Sequence, residues 1–253
     1  MKSPKALLLI GLVAYAFFLL WQLPAEQALA LLAPRGETGL QARTVEGSWH
    51  HGVGRDCSVW GLPLREIGWR FRPLALLSGR LSVTLRGKGD RSAIEATLSR
   101  GLTTLHIEAL EGRMALAELT PLLSPLGLRL EGILAARLSG VEVREGRLST
   151  AQGKVVWQEA ALDPRTRLGT LVALISTTRE GVKATVSDEG GPLRAEGVLR
   201  LAADGGYTMT LTLAARGPEA KELLDRLAPL GQRGDGGVLH LARQGQLPLL
   251  TWP

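Results

Sequence analysis

The hydrophobic pattern of the chain begins with one uninterrupted apolar block. Residues 6–23 are apolar apart from Gln22. A helix rises about 1.5 Å per residue, so a helix through this block is about 27 Å long, close to the hydrocarbon thickness of a bilayer. The block predicts a single transmembrane anchor. Because cationic flanks such as Lys2 and Lys5 stay on the cytoplasmic side, residues 1–5 are predicted to be cytoplasmic and the rest of the chain to lie across the membrane.

The same block also fits a cleaved secretory signal. Ala28 and Ala30 are spaced like the small residues of a cleavage site, and Lys2 and Lys5 form a short basic region before the apolar run. Both interpretations export the remainder of the chain. Whether the N-terminal segment is removed is left open.

A short helix is predicted directly after the anchor. Good helix formers fill the stretch between Pro24 and Pro34, and proline is tolerated in the first turn of a helix but stops one further along. Residues 24–39 are therefore interpreted as a membrane-proximal linker helix that ends in a turn.

From Leu40 the period of the pattern changes to two, which is typical of strands with one buried face. Leu81, Val83 and Leu85 alternate with polar residues, and several later segments repeat this alternation up to Leu213. Turn signals separate the segments, and short turns join antiparallel neighbours. These signals lie at residues 87–90, 139–140, 145–146, 179–181, 188–191 and 204–206. The predicted fold class is mainly β, a strongly curved antiparallel sheet with one apolar face.

Two stretches, residues 114–125 and 219–229, have helical spacing and predict two short helices that end near a proline. Glu118, Leu119, Leu123, Pro125, Leu126, Gly127 and Arg129 recur in the same order and spacing at Glu222, Leu223, Leu227, Pro229, Leu230, Gly231 and Arg233. The match indicates an internal duplication. Its two halves are placed at residues 40–130 and 131–253, and the pattern leaves open whether they form one continuous sheet or two domains.

Composition narrows the classes of function. The net charge is +6 and aromatic residues make up 4% of the chain, so the core is expected to be aliphatic. Positive and negative residues are interspersed, whereas nucleic-acid binding needs a clustered basic face. No nucleic-acid partner is therefore expected. Cys57 is the only cysteine, so an exported domain must be held together without an intramolecular disulfide, and Cys57 is expected to be buried.

Signals for catalysis are weak. The four histidines include the pair His50 and His51, but neighbouring residues of a strand point to opposite faces, which argues against a shared metal. His106 and His240 are expected to be exposed. The chain has no Gly-x-Ser-x-Gly motif and no phosphate-binding loop. We expect no enzyme activity, no catalytic residue, no cofactor and no metal.

One constellation stands apart from this pattern. Half of the tryptophans, Trp49, Trp60 and Trp69, lie between Val45 and Leu81, together with several glycines and arginines. Large rings with neighbouring glycines can close the end of a narrow core. Tryptophan and arginine also dominate interface hot spots, so the same residues fit a partner-binding surface. Both interpretations remain open.

These residues resemble the type II secretion system protein N family, also called general secretion pathway protein N. The resemblance rests on a G-x-W-x-x-G element, a W-x-x-x-P-x-x-L-x-x-G element, the N-terminal anchor and strands rich in Gly-x-Leu. It implies an inner-membrane accessory component that supports export of folded proteins through contacts with other secretion components. The matching positions, named as structural or contact residues, are Trp49, Gly52, Trp69, Pro73, Leu76 and Gly79.

A second class of protein fits the same pattern. Periplasmic lipid carriers of the AsmA and TamB kind also have an N-terminal anchor and a long curved sheet with an apolar face, so a lipid is the alternative ligand. An unfilled apolar groove favours that class, and a groove filled by the chain's own side chains opposes it.

Overall fold

The computed structural model describes residues 24–27, 40–59, 62–101, 104–119, 130–144, 146–163 and 166–246. Within these residues no helix has the length and apolar character needed to cross a membrane. The predicted anchor at residues 6–23 lies outside the described part. Residues 25–27 are helical, at the start of the predicted linker helix, and residues 28–39 lie outside.

The described chain is mainly β, as predicted. Its strands are β1 (Leu40–Ser48), β2 (His51–Val59), β3 (Leu62–Phe71), β4 (Leu81–Lys88), β5 (Ala93–Arg100), β6 (Thr104–Ala115), β7 (Glu131–Arg144), β8 (Arg147–Asp163), β9 (Thr166–Thr178), β10 (Gly181–Asp188), β11 (Leu193–Ala202), β12 (Gly206–Ala215), β13 (Gln232–Arg233) and β14 (Leu239–Gln246). One α-helix, α1, covers Pro218–Leu227, and short 3-10 turns cover Pro73–Ser78, Leu116–Leu119, Ala228–Leu230 and Asp235–Gly237.

The strands form a single 14-stranded sheet in which β1 to β12 follow one another in chain order, and β14 and then β13 complete the far edge. Neighbouring strands pair antiparallel, which confirms the predicted meander. β6 and β7 pair along their length, so the sheet continues across the boundary at residue 130 that separates the predicted halves.

The strand register produces one apolar row that crosses the sheet. Starting at Val45 in β1 and ending at Leu241 in β14, each directly opposed residue is aliphatic or glycine. The row contains Val45, Gly54, Ile67, Gly87, Ile94, Gly112, Ala136, Val155, Ala173, Val186, Gly197, Leu211 and Leu241. Apart from Gly54, all of these residues are partly exposed. We call this row the apolar stripe. The residues one position along each strand lie on the opposite face and include many charges.

Two clusters of buried apolar residues lie on the face of the apolar stripe. In the larger cluster, Leu223, Leu224 and Leu227 of α1 pack on strand residues such as Leu193 and Leu239. The smaller cluster joins Val141, Ala151 and Val182. Gly217 precedes α1 and Pro218 opens it, as expected for a proline-started amphipathic helix. The larger cluster lies at the β12 and β14 end of the stripe, where Leu211 and Leu241 pack against it.

The predicted turn at Ser139 and Gly140 is wrong. β7 continues through both residues to Arg144, and its pairing with β8 shifts between Ser139 and Glu142. Gly140 has a positive φ of 57°, a conformation that glycine adopts without a steric cost. The glycine therefore produces a bulge within one long strand and does not end it.

The assignment of polar positions to the exposed face fails at one end of β4. Leu81 is 50% exposed, whereas Ser82 and, opposite it in β5, Ser99 are almost completely buried. Both hydroxyl groups lack a hydrogen-bond partner among the described residues. Alternation fixes which residues share a face, but it does not determine which part of a face is covered.

The first predicted helix begins later than expected. Met114 and Ala115 are the last residues of β6, and a single 3-10 turn follows at Leu116–Leu119; residues 120–125 lie outside the described part. Of the repeated positions, Glu118 accepts hydrogen bonds from Arg91 and Ser92, whereas Glu222 pairs with Arg226 within α1. The duplication therefore stays a prediction.

Candidate functional site

The tryptophan-rich segment folds into one corner of the sheet. β1 and β2 are joined by a tight loop of Trp49 and His50. The backbone N–H of Phe71, the last residue of β3, donates to the carbonyl of His50 over 2.6 Å. This bond ties the end of β3 to the loop. We call residues 48–52, residues 69–72 and the turn Pro73–Ser78 together the tryptophan corner.

Trp69 connects the three strands of this corner. It lies opposite Gly52 in the β2–β3 register, and its indole extends across that glycine. The indole N–H donates to two carbonyl oxygens of the β1–β2 loop, Ser48 at 3.2 Å and Trp49 at 3.1 Å. A side chain at Gly52 would collide with the ring, so the glycine is required for this crossing.

Trp49 packs on the end of β3. Its ring centroid lies 5.2 Å from that of Phe71, with the rings tilted by 43°, a favourable offset geometry. Phe71 is buried, while Trp49 and Trp69 are half-buried. The corner is therefore both a packed end of the sheet and a partly accessible aromatic surface.

Pro73 and Gly79 bound the turn that leads from β3 to β4. Pro73 opens the 3-10 turn, and the N–H of Arg80 donates back to the carbonyl of Ala75 over 3.1 Å. Gly79 has a φ of +70°, in the left-handed region that glycine tolerates. Leu76 lies within this turn; its side chain lies outside the described part. Trp69 thus lies near the end of β3, Pro73 starts the turn and Leu76 lies within it. Gly79 follows the turn in a left-handed backbone conformation.

The argument that His50 and His51 point apart is wrong, because His50 lies in the loop and not in a strand. The hydroxyl oxygen of Ser48 lies 3.1 Å from His50 Nδ1 and 2.9 Å from His51 Nδ1, and the two rings are in edge contact at 4.6 Å. Burial lowers the pKa of His50, and the electrostatic interaction with the neighbouring His51 lowers it further. No group of three or more metal-ligating side chains occurs in the described part of the chain.

The contact between Ser48 and His51 resembles two parts of a nucleophilic site. A nucleophilic serine needs a base that a third group orients, and no carboxylate pairs with His51 among the described residues. Cys57, on the neighbouring part of β2, is buried as predicted, and burial with the nearby Asp56 raises its thiol pKa although a backbone hydrogen bond from Ile67 opposes this. A raised pKa makes a thiol less reactive.

The other two histidines differ from each other. His240 is exposed, as predicted. His106 is half-buried, and its Nδ1 lies 3.3 Å from Glu142 Oε1. The prediction of an exposed His106 is therefore wrong, because its opposed neighbour in β7 is a carboxylate that the local sequence of β6 does not reveal.

The segment that follows the predicted anchor enters the fold at this corner. Pro24 forms an isolated antiparallel bridge with Ser48, and Ala25 is 1% exposed. Sequence reasoning did not connect these residues, nor did it single out Ser48 and Phe71. A long-range contact of a short extended segment leaves no periodic signal. The single hint was Pro24, which marks the start of a new element.

Comparison with known protein families identifies this chain. The family model of type II secretion system protein N matches residues 38–242, which include the whole tryptophan corner and most of the sheet. Comparison with curated proteins gave no match, and comparison with solved structures gave none either. The family match agrees with the resemblance carried by Trp49, Gly52, Trp69, Pro73, Leu76 and Gly79. The chain belongs to the type II secretion system protein N family, whose members are accessory components of that secretion system.

Proposed function

We propose that this protein is a non-enzymatic, inner-membrane component that supports secretion through contacts in the periplasm. Residues 6–23 anchor it as a single span with residues 1–5 in the cytoplasm, and the sheet lies in the periplasm. The tryptophan corner and the neighbouring edge of the sheet contact other components of the type II secretion system.

The observation that carries this proposal is the position of the corner relative to the chain entry. Pro24 directly follows the apolar block and bridges to Ser48, which is itself part of the corner. The residue that directly follows the proposed anchor therefore contacts the corner. Components that share the same membrane would meet this end of the protein first.

The edge strand β1 adds a second element of the contact surface. Among the described strands it pairs only with β2, and Ala42, Arg43 and Thr44 are exposed. Within the described residues, Pro24 is the one partner on its other side, at Ser48. An unpaired strand edge binds an added strand through main-chain hydrogen bonds. The partner would then extend the sheet beside the aromatic corner.

Site-specific photocrosslinking in cells tests this surface. Leu74, in the corner, is 79% exposed, and Leu174, in β9, is 54% exposed, so the two leucines are matched sites for the crosslinking residue. Crosslinks from position 74 to secretion components, identified by mass spectrometry, are expected, with few or none from position 174. Equal capture from both positions, or capture of lipid alone from position 74, contradicts the proposal.

A second candidate function, periplasmic lipid binding of the AsmA and TamB kind, is favoured by the apolar stripe. Apart from Gly54, its residues are partly exposed from β1 to β14, and at about 4.8 Å per strand the stripe is on the order of 60 Å long. An exposed apolar surface of this size fits acyl chains. Replacing Ile94, in the apolar stripe, with a photoreactive residue tests the lipid-binding function. Crosslinks to acyl chains in cells support lipid binding, and crosslinks to protein alone oppose it.

A further inference from the structure

One cavity of the described structure is lined by two opposed cations that have no ion-pair partner among the described residues. The cavity measures about 820 Å³ and lies where the hairpin of β9 and β10 meets β11, β12 and β14. Lys183 of β10 and Arg200 of β11 are directly opposed in the register and both line it. Directly opposed side chains start from Cβ atoms about 5 Å apart, and like charges at this position destabilise the strand pair.

Other opposed like charges in the sheet are compensated. Three further pairs occur among the described strands: Glu95 with Glu111, Arg137 with Lys154, and Arg144 with Arg147. In each of them at least one member has an ion-pair partner. These ion pairs are Arg86–Glu95, Arg137–Glu111, Lys154–Glu189 and Arg144–Glu142. Neither Lys183 nor Arg200 has an ion-pair partner within the described part of the chain.

The rest of the cavity lining carries one further cation, two carboxylates and groups that donate hydrogen bonds. Arg179, at the β9–β10 turn, adds a third cation, and Thr208 and Gln244 continue the row of Lys183 and Arg200 with groups that donate hydrogen bonds. Two carboxylates, Glu180 and Asp204, also line the cavity. Asp204 is occupied within its own turn, where one carboxylate oxygen accepts the N–H of Gly206 at 2.8 Å.

We propose that this cavity binds a phosphate-type anion between Lys183 and Arg200. A planar guanidinium donates two parallel hydrogen bonds to a phosphate, and an ammonium group adds a compact charge beside it. Binding would remove the repulsion between the two cations. The same chemistry is offered by inorganic phosphate and by the phosphate of an anionic lipid headgroup. This inference is independent of the secretion contacts at the tryptophan corner.

Isothermal titration calorimetry on the full chain in phosphatidylcholine nanodiscs tests the site. The chain is titrated with inorganic phosphate and, separately, with submicellar dihexanoyl phosphatidylglycerol, and empty nanodiscs measure the heat of uptake by the lipid alone. We expect saturable binding at one site, because Lys183 and Arg200 lie side by side on one face of the sheet.

Substitutions at the two opposed cations test whether they bind the anion. Lys183→Gln and Arg200→Gln are each expected to weaken binding about tenfold, since each removes a charge-assisted hydrogen bond. Arg147→Gln removes one cation from an opposed pair outside the cavity and is expected to leave binding unchanged; thermal melts confirm that all variants are folded. Tighter binding of the lipid than of phosphate identifies a headgroup site, and equal binding identifies a site for the free anion. No saturable binding of either ligand, or equal binding by a variant that carries both Lys183→Gln and Arg200→Gln, overturns the proposal.

Discussion

Gly52→Ala is the most informative single change in the tryptophan corner. A methyl group at this position would lie 2.7 Å from the backbone oxygen of Glu46 and 2.8 Å from Cη2 of Trp69. Neither atom is free to move, because Glu46 is held in the β1–β2 ladder and the Trp69 indole is held by two carbonyl groups. Overpacking of this kind costs typically about 1–3 kcal/mol, and we expect about 2–3 kcal/mol here.

Gly68→Ala is the matched control. The same methyl group at Gly68, in the adjacent strand β3, has its nearest neighbours at 3.8 and 4.0 Å. Glycine in a strand interior is destabilising relative to alanine by about 0.5–1 kcal/mol, so this variant should gain about 0.5 kcal/mol. Both changes restrict the unfolded chain equally. The difference between them therefore reports on the folded corner.

Urea unfolding of the full chain in mild detergent, followed by far-ultraviolet circular dichroism, measures the difference. We expect the two variants to differ by about 3 kcal/mol, with Gly52→Ala the less stable. Trp69→Phe should also be less stable than wild type, because two carbonyl groups lose their shared donor. Equal stability of Gly52→Ala and Gly68→Ala would refute the view that the Trp69 indole is fixed across β2.

Three further predictions concern other parts of the sheet. Asp188 has a 4% exposed side chain and accepts hydrogen bonds from Ala195, Gly190 and Arg216; burial raises its pKa, but these bonds together lower it below 3.8. Asp188→Asn should lower the free energy of unfolding by about 2 kcal/mol at neutral pH. The difference in this free energy between variant and wild type should shrink as the pH falls below 3.8, because protonation of Asp188 removes its contribution in the wild type. A difference that stays constant with pH contradicts this prediction. Replacing both Ser82 and Ser99 by alanine should be neutral or stabilise by up to about 1 kcal/mol, because it removes two unpaired buried hydroxyls; a clear loss of stability in chemical denaturation would show that they are paired. Leu227→Ala should cost about 3 kcal/mol through the cavity left under α1, whereas Leu230→Ala, at an exposed leucine, should cost little in the same assay.

Local sequence signals account for most of the architecture. Period-two segments between glycine-rich turns predict antiparallel strands, and Pro218 followed by amphipathic spacing predicts α1. These features depend on residues close together in the chain. The course of β7 through Gly140 could not be predicted, because glycine with a polar neighbour is equally compatible with a turn and with a bulge. The burial of Ser82 could not be predicted either, because alternation does not determine which part of a face is covered.

The candidate site could be predicted as a group of residues but not as an arrangement. Three successive strands pair in register and bring together Trp49, Gly52 and Trp69. The two-residue period of the sequence predicts the strands, but it predicts their register only approximately. The bond from the Trp69 indole to the β1–β2 loop and the bridge from Pro24 to Ser48 are specific long-range contacts. The opposed cations Lys183 and Arg200 were not singled out, because they become neighbours only once the register of β10 and β11 is known.

Secretion in the bacterium that carries this gene tests the central claim most directly. The amount of a folded substrate of the type II pathway in the medium is measured in a strain that lacks the chain and in the same strain complemented with it. Accumulation of the substrate in the periplasm of the first strain, and its release on complementation, are the predicted results. Unchanged secretion without the chain would contradict its assignment as a component that supports the secretion system.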